Sequence, residues 1–169
     1  MAVVRVRLCH GSLTKMSSLA IRVAAATSSM FASEDLKAKI DQACRTAEEF
    51  TKLYYESLDK RRYLISRLYL DTATLIWNGN GIEGKDNIQK FWTDLPPSDH
   101  SVFTLDAQPI TGPEVADQLT FLVKVGGQVK YDDKALKPFN QSFLIAALGD
   151  KWKIVSDCFR VQDVLENVN

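Results

Sequence analysis

The sequence has no charge excess of either sign: 21 Lys and Arg balance 21 Asp and Glu. A nucleic-acid footprint needs a strong basic excess on one face, so direct nucleic-acid binding is not expected. No uninterrupted apolar run is long enough for a membrane span, and no membrane partner is expected. Cysteine is scarce, with only Cys9, Cys44 and Cys158, and their wide spacing fits neither a disulfide framework nor a zinc motif. They read as reduced thiols, with Cys44 at helical spacing and Cys158 in a strand as small core residues. Histidine is scarcer still. His10 lies in the N-terminal segment, and His100, in a polar turn before a strand, reads as solvated. There is no glycine-rich phosphate loop, metal-spaced cluster or nucleophile elbow, so neither a cofactor nor a metal is expected.

The 169 residues are 46% apolar and 25% charged, which fits one soluble domain with a sizeable core. The two ends differ. Residues 1–33 hold Arg5, Arg7, Lys15 and Arg22 and no acidic residue. This basic, acid-free extension has the look of a targeting segment. A disordered tail and an upstream extension of the start, with Met16 or Met30 as initiator, are the competing and favoured readings, because the remaining chain makes sense without this segment. The domain proper is expected over residues 34–163, with a tail at 164–169.

Within it, Ser33-Glu34-Asp35 reads as a helix start. Ile40, Ala43, Cys44, Ala47, Phe50, Tyr54 and Leu58 then recur at three- and four-residue steps, the apolar face of a long helix. A second helix is expected from about Arg62 to Leu70, and Lys60-Arg61-Arg62 reads as a solvated turn before it. Thr72–Trp77 reads as a strand, closed by the Asn78-Gly79-Asn80-Gly81 turn. Ile88, Phe91, Trp92 and Leu95 mark a short third helix. Four strands follow, at about 101–109, 118–131, 139–148 and 151–161, with Gly126-Gly127 as a bulge or bend. Helices first and an antiparallel meander afterwards is an α+β signature. Phe143 to Leu148 is apolar throughout. A strand with one wet face should alternate, so this run points to cover on both faces, and a second subunit is the simplest outer cover. On the strand before it, Thr104, Asp106 and Gln108 share the phase opposite to Phe103, Leu105 and Ala107, which puts Asp106 on the outer surface.

The ordered segments Asp41-Gln42-Ala43-Cys44-Arg45, Thr72–Asn80, Asp106-Ala107-Gln108-Pro109, Phe139-Asn140-Gln141 and Trp152–Arg160 resemble the nuclear transport factor 2-related export proteins. The resemblance covers about residues 34–163. It implies a cone of three helices packed in a strongly curved antiparallel sheet. It implies a non-enzymatic subunit that heterodimerises with the similar domain of a large mRNA export receptor and shuttles between nucleus and cytoplasm. That heterodimer would engage nucleoporin Phe-Gly repeats. On this resemblance Asp106 matches an aspartate that pairs with a receptor arginine, and the expected partner interface holds Asp106 with Gln108 and Leu144. Nuclear transport factor 2 itself uses an acidic residue after the strand tryptophan to bind Ran-GDP. Here that residue is Asn78, so Ran-GDP binding is not expected, although Asp132 and Asp133 supply charge nearby. Two alternatives stay open: a small pocket enzyme of the same fold, an isomerase or dehydratase served by a buried Asp or Tyr, and a homodimeric Ran-GDP carrier.

Overall fold

The computed structural model describes residues 13–112, 118–132 and 134–162, with side chains from Glu34 onward. Residues 1–12 with Cys9 and His10, the tail 164–169, and Asp133 lie outside the described residues. The chain divides into two units, residues 1–39 and 40–169. The sheet, the second helix and the C-terminal part of the first belong to the latter.

Helix α1 (Leu13–Lys60) starts well before Ser33. No glycine or proline occurs between Gly11 and Gly79 to stop it, and the acidic pair at Glu34-Asp35 does not interrupt it. Ala43, Ala47, Phe50, Tyr54 and Leu58 are buried at the expected spacing. Ile40 is exposed, and so is Cys44, which lies off the buried stripe rather than in the core. Cys158 is likewise exposed. The expected second helix is a 3₁₀ turn (Arg62–Leu68) that buries Ile65, and Tyr69 already belongs to the first strand. The strands are β1 (Tyr69–Trp77), β2 (Asn80–Glu83), β3 (Ser98–Ile110), β4 (Thr120–Tyr131), β5 (Lys137–Leu148) and β6 (Lys151–Val161). Helix α2 (Lys85–Asp94) lies between β2 and β3 and buries Ile88 and Trp92.

The six strands form one sheet in the order β2-β1-β6-β5-β4-β3. The α+β architecture is as expected, but the sheet is mixed rather than purely antiparallel: β1 runs parallel to β6. Tight turns force antiparallel pairing only between consecutive strands. β1 and β6 are far apart in sequence, so no turn sets their relative direction.

Gly126 and Gly127 sit opposite a bulge. β3 pairs Val102 with Gly127 and Thr104 with Gly126, leaving Phe103 as the extra residue. That is why Phe103 is 65% exposed instead of sharing a buried phase with Leu105 and Ala107. A Cβ on Gly127 would lie 2.2 Å from Ser101 O and 2.9 Å from Phe139 Cε1. Backbone cannot yield as a side-chain tip can, so Gly127→Ala is expected to cost about 1–3 kcal/mol in urea unfolding. An unchanged midpoint would show that the strands separate freely here.

The concave face is aromatic. Trp77 and Phe139 both stack on Phe159, at centroid distances of 4.5 and 5.0 Å, and Trp92 meets Trp77 edge-on at 5.3 Å. Phe50 of α1 meets Phe143 of β5 at 5.5 Å, seating the C-terminal part of α1 on that face. Arg62, expected to be solvated, instead joins three elements. Its guanidinium donates to the carbonyls of Leu58, Trp92, Leu95 and Pro96 and to Ser98 Oγ, at 2.7–3.2 Å. It thus caps the carbonyl end of α2, where cation and dipole agree.

Candidate functional site

The helices reach the inward phase of the sheet, and the opposite phase forms an outer surface. The pairing registers align that surface into rows. One row reads Ile76, Cys158, Ser142, Lys124 and Asp106. The next reads Thr74, Ser156, Leu144, Leu122 and Gln108. Asp106 and Gln108 are exposed, and Leu144 is half-buried. The three expected interface residues therefore lie on one face, in adjacent rows. Asp106 is opposite Lys124, and a recess of about 370 Å³ lies among Asp106, Ala107, Gln108, Leu122 and Lys124. The run Phe143–Leu148 does not alternate cleanly because β6 carries an extra residue: Leu144 pairs with Ser156 but Ile145 with Ile154. Phe143 and Ile145 are in the core, Ala146 is buried too, and Leu144 stays partly open on the outer face.

A polar constellation also sits on the inner side. Asp157 is fully buried, and its Oδ2 accepts from Tyr69 OH at 2.6 Å and Tyr54 OH at 3.0 Å. Its Oδ1 accepts from Gln141 Nε2 at 2.8 Å. Tyr55 OH donates to Gln141 Oε1 at 2.7 Å, and Trp92 Nε1–H to Tyr69 OH at 3.2 Å. Burial pushes the Asp157 carboxyl up to about 6, with the three donors opposing the rise. Both tyrosine hydroxyls are held well above their ordinary range, first by burial and then by the neighbouring carboxylate. A second pair, His100 Nδ1–H donating to Asp59 Oδ1 at 2.6 Å, ties β3 to α1, with Asp59 Oδ2 accepting from the His100 backbone N–H. The His100 side chain is fully buried, which corrects its reading as solvated.

Periodicity places Tyr54 on the apolar face of the first helix but does not show the acceptor it shares with Tyr69. Asp157 is in phase with Phe159 in a strand that is otherwise apolar inward, the one signal that could have exposed it. Asp71 and Asp106 are exposed, and neither takes part in these hydrogen bonds. Among the described residues no group of three or more His, Cys, Asp or Glu is placed to hold a metal.

The model of the nuclear transport factor 2 (NTF2) domain matches residues 46–161. The chain belongs to the nuclear transport factor 2 domain family. The human protein named NTF2-related export protein 2 is 49% identical over 138 residues, covering 79% of this chain and 97% of that protein. Nuclear transport factor 2 of Cryptosporidium parvum shares the fold with a TM-score of 0.62 at 24% identity, over 73% of this chain and 95% of its own. A chain of the Candida albicans Mtr2–Mex67 M domain complex does so with a TM-score of 0.60 at 17% identity, over 73% and 98%. In this nuclear transport factor 2 domain, Asn78 takes a positive φ of 48° and its Oδ1 accepts from the Val161 backbone N–H at 2.9 Å. The residue after the strand tryptophan is thus neutral and engaged within the chain.

Proposed function

We propose that this protein is a non-enzymatic subunit of a nuclear export heterodimer, pairing through its outer sheet face with the similar domain of a large mRNA export receptor. The observation that carries the reading is the assembly of Asp106, Gln108 and Leu144 on one open surface. Half-exposed Leu144 and Leu122 lie beside uncharged Ser142, Thr74 and Ser156, bordered by Asp106 and Lys124. An apolar and neutral centre with charges at its margin is the usual composition of a protein interface. The relative's name and its near full-length match support the same role. In the heterodimer the subunit stabilises the receptor for nucleoporin Phe-Gly repeats and moves with it between nucleus and cytoplasm. Co-purification with that receptor domain tests the pairing.

Against the pocket-enzyme alternative stands the state of the Asp157 cluster. The carboxylate has no exposed surface, and protein donors occupy both of its oxygens. A substrate would have to displace those bonds to reach it. The Ran-GDP carrier alternative is opposed by Asn78. One charge-assisted contact contributes about 1.5–3 kcal/mol, so its loss weakens affinity by about tenfold or more. A flat calorimetric titration with Ran-GDP is expected, and submicromolar binding would reverse that part of the reading.

A further inference from the structure

The outer sheet face carries more positive than negative charge. Lys124 and Asp106 sit opposite each other on β4 and β3, and both are exposed. Among the described residues neither makes an ion pair, with the other or with any third group. The neighbouring row of Arg160, Asn140, Gly126 and Thr104 adds a second exposed cation and no acid. Arg160 is likewise without an ion pair among the described residues. Across this row and the two that hold Asp106 and Gln108, Lys124 and Arg160 stand against Asp106 alone.

The imbalance has an energetic consequence once a partner excludes water. Lys124 is flanked by Ser142 in its own row and by half-buried Leu122 and Leu144 in the next. One hydroxyl and two leucines cannot replace the hydration of an ammonium, so covering Lys124 without a counter-charge is unfavourable. Asp106 alone does not meet this need. On the proposed pairing its carboxylate is shared with a receptor arginine, and that arginine is a further cation close to Lys124 that repels it. We propose that Lys124 is a specificity-determining residue of the heterodimer face: it selects a receptor surface that sets an Asp or Glu carboxylate against it. Asp106, Lys124, the receptor carboxylate and the receptor arginine then form a closed set of alternating charges. This inference rests on the heterodimer reading. The recess of about 370 Å³ among Asp106, Ala107, Gln108, Leu122 and Lys124 gives a side chain of the receptor room to approach both charges. A receptor face that offers the arginine without the carboxylate is disfavoured, because Lys124 opposes it.

The test is calorimetric titration of the full chain with the nuclear transport factor 2-like domain of a large mRNA export receptor, at two ionic strengths. Lys124→Met is expected to weaken binding about tenfold and Lys124→Glu further, since the receptor carboxylate is left unpaired or repelled. The salt dependence of the affinity should be shallower in Lys124→Met. One Asp→Lys or Glu→Lys change on the sheet face of the receptor should recover part of the affinity lost in Lys124→Glu. Lys52→Glu, an exposed lysine of α1 away from the sheet, should bind like the wild type. Circular dichroism confirms that each variant is folded. If Lys124 merely neutralises Asp106, Lys124→Met frees that carboxylate for the arginine. Affinity then stays level or rises, and the proposal is overturned while the heterodimer stands. Wild-type protein that does not bind at all overturns the heterodimer reading instead, and this inference with it.

Discussion

Asp106→Arg is expected to weaken the heterodimer by about 2–5 kcal/mol, some thirtyfold or more in affinity, while the protein itself stays folded. Asp106 is exposed on β3, so the longer side chain need not enter the core. Across the strands it faces Lys124, and the reversal sets two cations opposite each other, a cost to the fold of about 1 kcal/mol or less. On the proposed pairing, the larger effect falls on the interface, where attraction to a receptor arginine would become repulsion. The reciprocal Arg→Asp change in the receptor should therefore recover part of the affinity. Calorimetry on both single variants and the pair measures the coupling. Unchanged affinity in Asp106→Arg would remove this residue from the interface, and an unfolded variant would show that its face is not open.

The second large effect concerns Asp157. Its carboxyl is raised from an ordinary 3.8 to about 6 by burial. Below pH about 4 both folded and unfolded chains hold the proton, and this group leaves stability at its maximum. As pH rises towards 6, the unfolded chain releases the proton while the folded chain retains it, so stability falls. Above about 6 both are ionised and the curve is flat. The total loss is about 3 kcal/mol across this window, superimposed on the opposite trend of ordinary acids. Asp157→Asn is expected to abolish this component and to be at least as stable as the parent at pH 7. Its amide can accept from the tyrosines, with Gln141 turning to suit it. Asp157→Leu removes the acceptor for Tyr54, Tyr69 and Gln141 and should cost about 2–3 kcal/mol at any pH. Urea unfolding of the three proteins from pH 4 to 8 separates these outcomes. A parallel pH profile in Asp157→Asn would mean that the carboxyl is not raised.

These two residues also mark what is legible in the sequence. Period alone placed the buried stripe of α1, the positions of β3 to β6 and the outward phase of Asp106, because those features depend on local spacing. The direction of β1 beside β6 was not legible, since pairing of sequence-distant strands leaves no mark on either. Phe103 was assigned to the wrong face because one extra residue in a strand shifts the phase. The Gly126-Gly127 pair announced a bend without saying which opposite residue would be expelled. His100 and Arg62 were read as solvated because polar side chains in turn-like contexts usually are. Their burial depends on Asp59 and on the carbonyls closing α2, partners 41 and about 30 residues away in the chain. The Asp157 cluster was missed for the same reason: its donors come from α1, β1 and β5, which only the folded sheet brings together.

The most direct test of the central claim is size-exclusion chromatography with light scattering on the full chain mixed with the nuclear transport factor 2-like domain of a large mRNA export receptor. A single 1:1 complex is expected, present with wild-type protein and lost or strongly reduced with Asp106→Arg. Separate elution of the two wild-type proteins at micromolar concentration would contradict it.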